Sequence, residues 1–505
     1  MSLRRNIAAN YASQLYVTAI GILIVPLYIR HMGAEAYGLV GFFAMLQAWF
    51  NLLDVGLSPT VARETARFRG GALTAPAYRQ LVQALEGLFL AIALVGGVAL
   101  FLSSEPIAVR WLQASTLSND DVRQSLQFMA LIVAMRWMCG LYRGEIGGSE
   151  RLGWLSGFNA AIATLRFVGV LPLLMLVSHR PTAFFAYQLA VAVIEILVLK
   201  WYAGQLLPAV PDGEALPWAW APLKPVLAFS MSVAFTSTVW VLVTQTDKLV
   251  LSKLLPLAEY GNFTLAVLVA SGVTIVSGPV SAALMPRMAR LEAQGDHAGL
   301  IDAYRRSTQL VAVLAGTAAV TAALFAEPLL WVWTGDRTLA AAAAPILALY
   351  ALGNGILAVA AFPYYLQYAK GNLRLHLIGN AVFVVVLVPS IVWAASQHGS
   401  IGAGYAWLAV NVVSFFAWLP LVHHKFEPGL NGRWYGEDVL AILLPVCVAG
   451  YLANLLLPRA DGRPAQLAWI LAGGAITFAA GALASSAFRS HLKPRAVAAP
   501  GRESN

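Results

Sequence analysis

Charge is scarce in this chain: Asp, Glu, Lys and Arg together make up 11% of its 505 residues, while apolar residues make up 59%. Cysteine is nearly absent, with Cys139 and Cys447 alone and both inside apolar runs, which excludes a disulfide scaffold and any cysteine-based metal cluster. The sequence has no phosphate-binding glycine loop, no zinc-type histidine spacing and no Ser/His/Asp arrangement that a soluble domain could assemble. The links between apolar runs are short, the longest on the expected outer side running from Ser103 to Asp121, so neither face has room for a catalytic domain. Without a nucleotide-binding module, any transport is expected to draw on something other than ATP hydrolysis by this chain. No cofactor is expected, and the chain does not read as an enzyme.

What remains is fourteen apolar stretches, at 10–29, 36–58, 80–102, 124–142, 154–177, 183–203, 226–250, 261–285, 308–330, 341–366, 376–396, 402–422, 438–457 and 467–488. Each approximates the roughly 20 residues that a helix needs to traverse about 30 Å of hydrocarbon. Lipid offers no partner to an unpaired backbone N–H or C=O, and runs of this length are too long for barrel strands. The expected fold class is all-α and integral to the membrane. The first run follows Arg4-Arg5 as a signal sequence would, but it is too long and lacks a small-residue cleavage site, so it is read as an uncleaved first helix.

The net charge of +9 could point to nucleic acid, but the basic residues form no stripe on a soluble domain. They sort by topology instead. With both termini in the cytoplasm, 22 of the 33 Lys and Arg residues fall in inner segments, eight in outer links and three within spans, as the positive-inside rule requires. No nucleic-acid partner is expected.

A repeat runs through the chain. Arg30 stands seven residues before Tyr37-Gly38, and Lys253 seven before Tyr260-Gly261; Pro59 to Arg63 is echoed by Pro286 to Arg290, and Glu105-Pro106 by Glu327-Pro328. The offsets of 223, 227 and 222 residues keep order and near register across six spans. An even number of spans gives two halves inserted in the same direction, the parallel-repeat arrangement of secondary transporters around a central cavity. The expected domains are a six-helix lobe at 1–204, a proline-rich cytoplasmic linker at 205–225, a second six-helix lobe at 226–424, and two further helices with a tail at 425–505. The segment Arg287 to Arg306 reads either as a helix lying on the inner surface or as a continuation of the eighth span.

Charges at bilayer depth cost about 2.5–3.5 kcal/mol each on insertion scales, so they mark a cavity or a partner. Arg166 stands near the middle of the fifth span, Arg136 in the inner half of the fourth, and Asp247-Lys248 in the outer half of the seventh. Asp54, Glu86 and Glu195 lie closer to inner ends, where snorkelling to the interface is the simpler reading. An Arg pair suits a pyrophosphate, because the guanidinium fork matches phosphate oxygens bidentately and keeps its charge. The alternative for Arg166 is an internal pair with Glu195. Asp247 and Lys248 are adjacent, so their side chains diverge by about 100° and they are not expected to pair; one of them faces the cavity, as a cation or proton site if Asp247, as part of the anion site if Lys248.

The stretches Asn10 to Gln14, Pro26 to Gly38, Asn51 to Arg63, Gln245 to Lys248 and Trp333-Thr334-Gly335 resemble Wzx-type polysaccharide flippases of the multidrug/oligosaccharidyl-lipid/polysaccharide exporter superfamily. The resemblance implies a carrier of the bacterial inner membrane that turns an undecaprenyl-pyrophosphate-linked oligosaccharide from inner to outer leaflet by alternating access, coupled to H+ or Na+. It also implies a polysaccharide polymerase and chain-length machinery as partners. Arg136, Arg166, Lys248 and Arg287 are the candidate substrate-binding residues, and Asp247, Asp54 and Glu195 the candidate ion-coupling ones. Two alternatives stand beside it: a drug–cation antiporter of the same superfamily, expected to favour carboxylates in its cavity, and a membrane polysaccharide polymerase or ligase, expected to carry a large outer loop that this chain lacks.

Overall fold

The computed structural model describes residues 3–54, 56–209, 219–220, 222–458 and 461–492. Pro211 and Pro217 of the expected linker and the expected topological charges Arg459, Lys493, Arg495 and Arg502 lie outside the described residues. Among those described, the chain is helical throughout, with one isolated bridge between Gln113 and Pro256 in place of any strand.

Twelve described helices are long and apolar enough to cross a membrane. Two features account for the difference from the expected fourteen. The run Arg374–Phe426 is a single 53-residue stretch, about twice what one crossing needs at 1.5 Å per residue. It breaks at His398 (φ −133°) and Gly399 (φ 57°, ψ −140°), a conformation only glycine adopts readily, at the expected boundary between the eleventh and twelfth spans. The expected seventh span lies in the continuous helix Leu223–Leu254.

The chain forms two compact units, Met1–Leu265 with Leu387–Ala403, and Ala266–Val386 with Gly404–Asn505. The first is built on α1 (Leu3–Leu23), α2 (Ala34–Phe50), α3 (Leu57–Arg69), α4 (Ala75–Leu102), α5 (Asn119–Gly148), α6 (Leu152–Phe167), α7 (Pro181–Leu206) and α8 (Leu223–Leu254). The expected second span is broken: α2 stops at Phe50, a 3-10 turn covers Asn51–Asp54, and Gly56 takes φ 72° before α3 begins. Asp54 closes that junction, accepting from the Ser58 hydroxyl at 2.6 Å and the Ser58 N–H at 3.1 Å.

Small residues decide how these helices meet. Gly140, Gly144 and Gly148 form a stripe along α5, and a Cβ there would lie 2.6 Å from Ser58 Oγ, 2.8 Å from the Ser58 carbonyl and 2.3 Å from the Ala62 carbonyl. The stripe seats α3 directly on α5, the close approach that small residues at four-residue spacing allow between membrane helices. Beside it, Leu57, Phe89, Trp137, Leu141 and Leu199 pack into one buried cluster. Helix α9 (Leu257–Ile275) starts against α2, where Gly38 and Gly261 back onto each other: a Cβ on Gly261 would sit 3.2 Å from the Gly38 nitrogen. These two glycines are the repeat-related pair of the sequence.

The second unit is centred on α11 (His297–Leu324), preceded by α10 (Gly278–Ala293) and followed by α12 (Ala326–Thr334), α13 (Arg337–Ala360) and the two ends of α14 (Arg374–Ala417), whose middle, Leu387–Ala403, belongs to the first unit. Helix α10 runs on to Ala293 and a turn at Gln294–Asp296 leads into α11, so Arg287 to Arg306 is the end of one helix and the start of the next rather than a separate surface helix. The last pair, α15 (Ala441–Leu456) and α16 (Arg463–Ala484), packs on α11. Gly450 lies under Val320 and Leu324, and Gly473 under Phe325. Gln309 locks the pair polarly: its amide donates to Asp438 at 2.7 Å and its carbonyl accepts from Ser485 at 2.8 Å and the Ala487 N–H at 2.9 Å. Arg305 completes that network with two bonds to Asp438, at 2.7 and 3.1 Å.

Candidate functional site

Within the first unit, α5, α6 and α7 bring three guanidinium groups around one carboxylate. Glu195 of α7 has a side chain 3% exposed. Arg143 of α5 donates to one of its oxygens at 2.6 Å and Arg166 of α6 to the other at 3.0 Å, while Arg136 Nε stands 3.8 Å away. Arg136 is held from the other side by Gln188 at 3.2 Å and Gln47 at 3.4 Å, and lies over the Phe43 ring, 5.4 Å from its centroid. Gln188 in turn donates to the Arg166 carbonyl at 2.9 Å, and Arg143 also donates to Asn159.

Three positive charges against one negative leave the cluster with an excess of two. An isolated excess of this kind inside a membrane helix bundle is costly, so the arrangement is one that an anion would complete. The Nε donors of Arg136 and Arg166 are both buried and have no hydrogen-bond partner. Buried donors are normally satisfied. The pair Arg166–Glu195, one of the two sequence readings for Arg166, is present, yet it does not exhaust the site, because two further guanidinium groups share the same carboxylate.

Arg143 and Gln188 went unassigned from sequence. Arg143 stands at the apparent inner end of the fourth span, where a charge reads as topological. Its spacing of seven from Arg136, two helical turns on one face, was the available signal.

The other candidates lie elsewhere. Lys248 and Asp247 do pair, against expectation: Lys248 Nζ is 3.3 Å from Asp247 Oδ1 and donates to the Thr244 carbonyl at 2.6 Å. Adjacent side chains do diverge around a helix, but the long lysine stem folds back one turn and brings the ammonium over its neighbour. No hydrogen bond or ion pair among the described residues joins Lys248 to the arginine cluster. Asp54 is engaged at the α3 start as described above. Arg287, in the second unit, is exposed and makes no ion pair among the described residues. Glu86 pairs with Lys200 at 2.8 Å and accepts from Tyr142 at 2.7 Å.

Residues 3–292 match the model of a family described as polysaccharide biosynthesis protein. The chain belongs to that family. A relative within reach by sequence, the "Putative O-antigen transporter" of Salmonella typhi, is 22% identical over 287 residues, and the match spans 56% of this chain and 64% of that protein's length. A solved structure of the lipid II flippase MurJ in an inward closed conformation covers 96% of this chain and 99% of its own, with a TM-score of 0.72 at 11% identity. An inward-facing multidrug resistance MATE family transporter of the MOP superfamily covers 82% of this chain and 94% of its own, with a TM-score of 0.64 at 15% identity. At these identities the chain's likeness to the solved structures is one of fold.

Proposed function

We propose that the chain turns an undecaprenyl-pyrophosphate-linked oligosaccharide from the inner to the outer leaflet by alternating access, with the pyrophosphate held by Arg136, Arg143 and Arg166. The observation that carries this reading is the set of three guanidinium groups on a single buried Glu195, two of them with a buried Nε that makes no hydrogen bond. A pyrophosphate supplies several negatively charged oxygens in forked pairs, which is what planar guanidinium groups match best. Drug cations would be repelled by the same cluster. Family membership, the name of the Salmonella typhi relative and the likeness to a lipid II flippase lend support. The lobe borders at 204, 226 and 424 and the polymerase and chain-length partners belong to the same proposal.

Coupling is assigned to Glu195. Its carboxylate competes with the phosphate for the same donors, so an incoming headgroup draws the three guanidinium groups off it and leaves it open to a proton, and headgroup release with proton loss returns them. Of the two coupling ions, H+ suits this residue: a carboxylate already wrapped by arginines leaves Na+ no open coordination.

The test is export in cells. Arg166→Ala and Arg136→Ala are each expected to abolish delivery of the glycan to the surface while the protein still inserts at its normal level. Normal surface polysaccharide in both variants would remove the assignment.

A further inference from the structure

The longest of the outer links, Ser103 to Asp121, is more than a connection from α4 to α5. Glu105-Pro106 leads into a tight turn that ends at Trp111, and Leu112 follows in extended conformation with its side chain buried. Residues 111–116 then form a strap with an anchor at each end, all within the first unit. At one end Glu35, in the first turn of α2 and 6% exposed, accepts from the Thr116 N–H at 2.8 Å, from the Ser115 N–H and from the Thr116 hydroxyl. At the other, Trp111 Nε1 donates to Ser252 Oγ at 2.9 Å, Gln113 Nε2 donates to the Lys253 carbonyl at 2.9 Å, and the Gln113 carbonyl accepts from the Leu257 N–H at 2.8 Å. The Lys253 ammonium lies over the Trp111 ring, 5.1 Å from its centroid. The last carbonyls of α8 and the first N–H groups of α9 have no partners within their own helices, and Gln113 supplies one to each. The two anchors belong to the two stretches that the sequence repeat relates, Arg30 to Gly38 and Lys253 to Gly261. The strap crosses beside the contact between Gly38 and Gly261, where a Cβ on Gly38 would sit 2.2 Å from the Leu257 carbonyl.

We propose that this strap is a latch on the outer side of the carrier, which holds the outer ends of α2 and α9 together and releases Ser252, Lys253 and Leu257, while keeping Glu35, each time that side opens. The two anchors differ in kind. Every bond at Glu35 ends on a carboxylate, and charge-assisted hydrogen bonds are roughly twice as strong as neutral ones. The bonds at the α8–α9 junction are all between neutral groups, and the one from Gln113 to Lys253 is exposed, so water takes over its partners when the strap lifts. An opening that parts the two repeat-related stretches has to break one anchor, and the neutral one yields first. The strap shares no residue with the arginine cluster. It rests on the alternating-access reading for the motion it restrains.

The test bridges each anchor in turn. In the full chain carrying Cys139→Ala and Cys447→Ala, Trp111→Cys is paired with Ser252→Cys, and in a second variant Glu35→Cys with Thr116→Cys. Each pair is joined by a short, reducible bis-methanethiosulfonate, and transfer of an undecaprenyl-pyrophosphate oligosaccharide between leaflets is followed in reconstituted vesicles. Joining 111 to 252 is expected to slow transfer at least about tenfold by holding the closed state, with recovery on reduction, whereas joining 35 to 116 leaves it within about twofold. Recovery shows that the first variant is folded. A second measurement needs no transport: Leu257→Cys, at a position 1% exposed beneath the strap, is labelled with a membrane-impermeant maleimide. Adding Gln113→Ala is expected to speed that labelling at least about threefold, because the open state gains population. Undiminished transfer with 111 joined to 252, equal loss from both bridges, or labelling indifferent to Gln113→Ala would overturn the latch. A chain that moves no lipid before any bridging would instead sink the carrier reading, and the labelling rates then decide the latch by themselves.

Discussion

Glu195 holds three guanidinium groups together in the first unit, and its removal is the sharpest test of that geometry. Glu195→Ala leaves three guanidinium groups facing one another, and breaking a buried pair costs about 3–5 kcal/mol. Arg143 and Arg166 keep 30% and 24% of their side chains exposed, so the lower end of that range is expected. A thermal melt in detergent should therefore fall by several degrees. A shift within about 1 °C would mean that the arginines are solvated independently. Arg166→Lys should restore charge but not export, since an ammonium cannot offer the bidentate fork. Sequence singled out Arg136 and Arg166, which the structure places on one carboxylate, because charges deep in apolar runs are rare. It hid Arg143 for the opposite reason, since the cytoplasmic ends of spans are where arginines normally lie. The Asp247–Lys248 pair was misread because helical direction was weighed without the length of the lysine stem.

Glycine contacts govern the helix packing, and they make a paired prediction on adjacent residues of α5. A Cβ at Gly148 would meet the Ala62 carbonyl at 2.3 Å, whereas one at Gly147 meets nothing within 4 Å. Gly148→Ala should destabilise the first unit by about 1–3 kcal/mol through overpacking. Gly147→Ala should be neutral or stabilise by up to about 1 kcal/mol through its helix propensity. Melting curves of the two variants side by side decide it; equal shifts would contradict the seating of α3 on α5. At this scale the apolar runs located the helices and the break at His398–Gly399, but not the break after Phe50. Hydropathy cannot register the stop at Phe50 or the 3-10 turn at Asn51–Asp54, because both occur inside a stretch that remains apolar on average. The words Asn51 to Arg63 and Trp333 to Gly335 fall at turns: Gly56 and Gly335 adopt positive φ, Asp54 accepts from Ser58 in the first turn of the following helix, and Asp336 caps the helix after Gly335.

For the molecule as a whole, the all-helical membrane fold was legible from run length and charge alternation, because bilayer thickness and positive-inside bias act on the entire chain rather than on single contacts. The same alternation predicts that a reporter fused near Gly299 reports the cytoplasm and one near Arg337 the outside; the opposite pattern would reverse the orientation and with it the direction of transport. The role of the last two helices was not legible, since the polar lock at Gln309, Asp438 and Ser485 joins residues far apart in sequence. The central claim is that the arginine cluster carries a pyrophosphate-linked glycan across the bilayer, and leaflet transfer in reconstituted vesicles measures it directly. With an undecaprenyl-pyrophosphate oligosaccharide in one leaflet, the wild type should speed its appearance in the other, Arg136→Ala and Arg166→Ala should not, and the matching glycan lipid without pyrophosphate should be a poor substrate. Equal transfer of both lipids, or full activity in the two variants, would contradict the account.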